Sequence, residues 1–102
     1  MTETDCVTIS AGIDAGQPWR RSFCDNITYT DWQRDNYWRA VASVTGKGAV
    51  IGYEGDHLTL MQRDKLEDFL EPVVMIDLFE TTMRQRMHKS PAEIALIRQA
   101  AQ

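Results

Sequence analysis

A chain of 102 residues, 43% of them apolar and 25% charged, has room for one small domain of ordinary globular composition. Eleven basic against fifteen acidic side chains leave a net charge of −4, the opposite of what a nucleic-acid module carries. No apolar run approaches the roughly 20 residues of a membrane span, and the polar MTETD start has neither the basic nor the apolar part of a signal peptide.

In chain order, residues 6–10 (CVTIS) read as a strand, followed by a long irregular stretch to residue 26 with two glycines and a proline. Residues 27–31 alternate as a second strand, Ile27 and Tyr29 on one face and Thr28 and Thr30 on the other. Tyr37, Val41 and Val44 predict a helix over 34–45, stopped by Gly46, and residues 49–53 predict a third strand. Thr59 and Gln62 have capping-box spacing at the start of a helix whose apolar face is Leu66, Phe69 and Leu70, with Pro72 as its stop. The run 73–78 (VVMIDL) reads as a strand covered on both sides. Phe79, Met83 and Met87, four apart, predict a helix with the methionines as core filler. Ser90-Pro91-Ala92-Glu93 is the strongest local signal: an N-cap serine, proline at the first helical position and glutamate at the third.

This alternation predicts an α/β fold, a three-layer sheet of mixed direction with helices on its faces. The last helix carries Ile94, Ile97 and Ala101 on one side and reaches Gln102 without a stop. Charge also shifts, +3 over residues 83–102 against −7 for the remainder. A strand with almost no lead-in and a helix without an end read as a chain cut at both ends, its sheet incomplete at the N-terminal edge.

Cys6 and Cys24 make no CxxC pair and are too few for a disulfide framework, so the chain reads as reduced and cytoplasmic. Asp56-His57 has the residue types of an acid–base pair or half a metal site. With no ligand spacing among His57, His88, Cys6 and Cys24, loop polarity explains it better. Gly46-Lys47-Gly48 follows a helix and precedes a strand, the reverse of a phosphate loop, and reads as a turn. Ser10, Ser22 and Ser43 have no base at recognisable spacing. No catalytic residue, metal ligand or cofactor is therefore expected. Gln17-Pro18-Trp19-Arg20-Arg21 stands out. Trp and Arg are enriched at the energetic centres of interfaces, and guanidinium matches a carboxylate. Gln17, Trp19, Arg20 and Arg21 are the interface or substrate-loop candidates, against a plain surface loop with its tryptophan tucked into the core. Trp32, Tyr37 and Trp38 read as packing residues.

Several blocks resemble the creatinase family: residues 9–21 (ISAGIDAGQPWRR), Asp25-Asn26-Ile27, 29–37 (YTDWQRDNY), Ile51-Gly52, Glu54, Asp56-His57-Leu58 and 63–66 (RDKL). Residues 83–90 (MRQRMHKS), with Glu93-Ile94 and Leu96-Ile97-Arg98, resemble the junction where creatinases and their aminopeptidase P and prolidase relatives pass into a catalytic domain. Gly12 and Ala15 depart from the family's usual Asn and Gly. The resemblance implies that residues 1–88 are the second part of a creatinase-type N-terminal domain and 89–102 the start of the linking helix. It also implies a metal-independent parent enzyme that converts creatine and water to sarcosine and urea as a homodimer. Its catalytic His and Glu would lie in a C-terminal domain beyond Gln102, and a substrate-contacting Phe and Arg before Met1. On this reading the chain alone is non-catalytic, its partners the second subunit and the C-terminal domain, with no nucleic acid and no membrane. An Xaa-Pro peptidase relative and a free-standing interaction module are the alternatives.

Overall fold

In the computed structural model, which describes residues 1–2, 4–14 and 16–102 and of Trp32 only the backbone, the β-branched runs pair as two parallel ladders. The first joins β1 (Val7–Ala11) to β2 (Asp25–Tyr29), with Val7 opposite Asp25 and Ile9 opposite Ile27. Parallel neighbours need a crossover of about a dozen residues, and residues 12–24 supply it through a 3₁₀ turn (Gly12–Asp14) and a short helix, α1 (Gln17–Arg21). The second ladder joins β3 (Val50–Tyr53) to β4 (Val74–Asp77), with Val50 opposite Val74. The α/β class stands as expected. Both ladders are parallel, and no antiparallel pairing occurs among the described residues.

The helices follow the local signals closely. α2 (Asn36–Thr45) stops where Gly46 takes a φ of 71° and its N–H donates to the Ala42 carbonyl at 2.9 Å. α3 (Leu60–Leu70) begins on a complete capping box. The Thr59 hydroxyl accepts from the Gln62 N–H at 3.2 Å, and the Gln62 side chain accepts from the Thr59 N–H at 2.9 Å. Gly46-Lys47-Gly48 is a turn: Gly48 N–H donates to the Leu70 carbonyl at 3.0 Å and Lys47 pairs with Glu71. α4 (Phe79–Met87) and α5 (Pro91–Ala100) complete the chain, α5 on a second capping box between Ser90 and Glu93. No described helix is long and apolar enough to cross a membrane.

Apolar pattern and actual cover diverge. α2 lies on β1, β2 and α3, and the only fully buried apolar side chains described are Leu66 (7% exposed) and Leu70 (1%), both on α3. They face a half-open cavity of about 480 Å³ that Tyr37, Val41 and Ile51 help to line. The run 73–78 was expected to be covered on both sides, yet Val73, Val74 and Ile76 are substantially exposed. Met83 and Met87 are likewise no core filler; Met87 is 75% exposed. The physical reason is the same for each: the apolar residues have the right spacing, but no described element lies over them.

The surface area quantifies this. The chain exposes 8298 Å², whereas a compact monomer of 11.7 kDa exposes about 5,900 Å². Its radius of gyration, 16.2 Å, exceeds the roughly 13 Å expected at this length. The excess is larger than the total area buried in a standard protein–protein interface, about 1,600 Å².

Candidate functional site

The first crossover holds the candidate residues. Gly16, in the left-handed region with φ 93°, turns the chain into α1, and Pro18 occupies the first turn, where its missing N–H costs no helical bond. The irregular loop expected here is thus in part a five-residue helix carrying Gln17, Trp19, Arg20 and Arg21. All four side chains are exposed, Trp19 to 74%. The alternative of a tryptophan tucked into the core is thereby excluded. Ile13 (93% exposed) and Phe23 (100%) lie on the same crossover. Gly12 sits tightly: a Cβ there would meet the Thr30 methyl at 3.1 Å and the Tyr29 carbonyl at 3.3 Å. The Ala15 departure lies outside the described residues.

The crossover is anchored at its base. Thr8 and Ser22 hydroxyls hydrogen-bond at 2.8 Å, and the Ser22 hydroxyl also accepts from the Cys24 N–H at 3.1 Å. Cys6 and Cys24 form a disulfide with their Cα atoms 5.3 Å apart. This corrects the reduced reading of the two cysteines. Each stands one residue before a paired strand, so the ladder register itself brings them together, a proximity that sequence spacing alone does not reveal.

A second polar group forms after β3. Glu54, Asp56 and His57 offer ligand atoms within 4.8 Å of one another. Their polar atoms are already engaged. Arg86 donates to Glu54 at 2.8 Å, tying α4 to this loop, and Asp56 holds the His57 Nδ1 at 2.9 Å. The hydrogen bond that the imidazole donates to the Asp56 carboxylate, then that carboxylate's charge, raises the exposed His57 above its ordinary pKa of 6.5. Gly55 is required here for space: the Asp77 carboxylate, which accepts from Gly55 N–H at 3.0 Å and Phe79 N–H at 2.9 Å, fills the place a Cβ would take. The arrangement links loop, strand and helix.

Of the aromatic residues expected to pack, Tyr37 stacks edge-on with Tyr29 at 5.5 Å and with Trp38 at 4.9 Å. Partial burial, then the neighbouring Tyr29, raises the Tyr37 pKa. The side chain of Trp32 lies outside the described residues.

No family model matches the chain. A creatinase of Bacillus sp. (strain B-0618) is 46% identical over 105 residues, covering 99% of this chain and 26% of that protein. The chain thus spans about a quarter of the length of this relative. Among solved structures it is similar to the creatinase/prolidase N-terminal domain of an X-Pro dipeptidase from Streptococcus pyogenes. The TM-score is 0.65 at 17% identity, over 79% of this chain and 61% of that one. At that identity the likeness speaks to fold alone.

Proposed function

We propose that this chain, a creatinase homologue along 99% of its length with the fold of a creatinase/prolidase N-terminal domain, is the non-catalytic part of a creatinase-type hydrolase. In this reading residues 1–88 are the second part of the N-terminal domain and 89–102 begin the helix leading into the catalytic domain. The parent reaction is creatine and water to sarcosine and urea. The role of the present segment is to support the homodimer and complete its active sites. The observation that carries the reading is the 46% identity to creatinase over nearly the whole chain.

Two features of the structure support a role in assembly. The surplus of exposed surface suits a segment designed to be covered. The crossover presents Trp19, Arg20 and Arg21 to solvent on a short, anchored helix, and these residue types retain binding energy when desolvated against an acceptor. Hydrolysis of a guanidinium carbon needs a general base positioned on water. That chemistry is assigned to the catalytic domain rather than to His57, whose partner is Asp56.

The test is substrate choice. The polypeptide encoded by the complete reading frame is assayed with creatine and, separately, with Xaa-Pro dipeptides, beside the 102-residue chain alone. Urea and sarcosine from the complete polypeptide, and none from the chain alone, are expected. Cleavage of Xaa-Pro substrates without creatine turnover replaces the reading with a peptidase relative. Urea from the isolated chain overturns its non-catalytic assignment.

A further inference from the structure

We propose that the Cys6–Cys24 disulfide is a reducible clasp that closes the first crossover and holds α1 in place. The pair stands at the register position just before Val7 opposite Asp25, so it ties the two strand entrances and encloses the whole of residues 7–23. Beyond β1, which the ladder and α2 hold, little else among the described residues secures α1. None of the α1 residues is buried, and the Thr8–Ser22 hydroxyl bond is the other side-chain link described between the crossover and β1. Both cysteines are only partly buried, which leaves the bridge open to attack. They are also the chain's whole cysteine complement.

The chemistry is thiol–disulfide exchange. A thiolate of a low-molecular-weight dithiol attacks one sulfur of the bridge and the other leaves as a thiolate. The reagent's second thiol then attacks the mixed disulfide and releases the remaining cysteine. Two electrons and two protons pass to the protein, giving two thiols, and the reagent closes into its own disulfide. Opening the bridge returns to the crossover the chain entropy that a closed loop of this size withholds. The ladder and α2 continue to hold β1 and β2, so the loosening is confined to the crossover.

Trypsin reads this directly, because Arg20 and Arg21 lie inside the closed loop and Arg63 and Lys65 lie on α3 outside it. The full chain is purified without reductant, alkylated and mass-mapped, then digested with and without a dithiol. Expected is a peptide containing Cys6 joined to one containing Cys24. Cleavage at Arg20 and Arg21 should be about tenfold faster after reduction, with Arg63 and Lys65 unchanged. Removal of the dithiol and reoxidation should restore the slow rate. A Cys6→Ser/Cys24→Ser chain should be cleaved at the fast rate whether or not dithiol is present. Alkylation of both cysteines before any reductant is added overturns the proposal. So does an unchanged rate at Arg20 and Arg21 in the reduced wild-type chain, or an equal acceleration on α3.

Discussion

Leu70→Ala strikes the one side chain among the described residues that is almost wholly removed from water, at 1% exposure. Truncations of buried leucine cost about 2.7–5.0 kcal/mol, less where neighbours can move into the space. Here the site borders a half-open cavity of about 480 Å³, so Tyr37, Val41 and Leu66 have room to relax, and the low end, about 3 kcal/mol, is expected. Domains of this length are stable by about 5–15 kcal/mol. The substitution therefore removes between a fifth and more than half of the total, or about 12–24 °C in melting temperature. Thermal unfolding followed by circular dichroism measures it, with Met87→Ala as the comparison. Met87 has the same apolar spacing in the sequence but is 75% exposed, and should shift stability by less than about 0.5 kcal/mol. Equal shifts in the two variants would refute the placement of the core on α3.

His57, held by Asp56, should titrate by NMR above 6.5, and Asp56→Asn should bring it back to the ordinary range; a wild-type midpoint at or below 6.5 contradicts the ion pair. Because the folded value is the higher one, any stability from this pair is present below 6.5 and lost as pH rises through the folded value. Glu93 behaves in the opposite sense. Its bond from the Ser90 backbone N–H, then that from the Ser90 side chain, lowers its pKa, so its contribution to α5 is present above the ordinary carboxylate value and lost as pH falls through the lowered one. Ser90→Ala should weaken the first turn of α5 by about 1 kcal/mol, read as faster amide exchange at Ala92–Ile94; unchanged exchange contradicts the capping role. The isolated chain should self-associate, since two-stranded ladders leave unpaired edges and Val73, Ile94, Leu96 and Ile97 add apolar surface; a clean monomer in sedimentation at high concentration counts against this.

Local chemistry was legible wherever two residues a fixed distance apart determine a bond. Thr59 with Gln62, Ser90 with Glu93, and Gly46 as a stop each stand in the structure as their spacing predicts. Cover was not legible. Met83 and Met87 at helical spacing, and the apolar run 73–78, show which face is apolar but not whether anything lies on it. The candidate site divides in the same way. The residue types at 17–21 pointed to an interface loop, whereas their gathering on a short exposed helix depends on Gly16 taking a positive φ and Pro18 opening the turn. The cysteine pair was hidden for a different reason: eighteen residues apart, Cys6 and Cys24 become neighbours only once the parallel register of β1 and β2 is known.

Trp19→Ala in the complete polypeptide tests the assembly role most directly, with sedimentation equilibrium and creatine turnover followed on the same preparation. Trp19 is 74% exposed in the chain, so its loss should leave folding unaffected and act on whatever covers it. As an interface anchor it should cost about 2 kcal/mol of association, a roughly thirtyfold weaker dimer. A dimer of unchanged affinity would contradict the account, whether turnover falls, which would make the residue a substrate contact, or stays the same, which would leave α1 as plain surface.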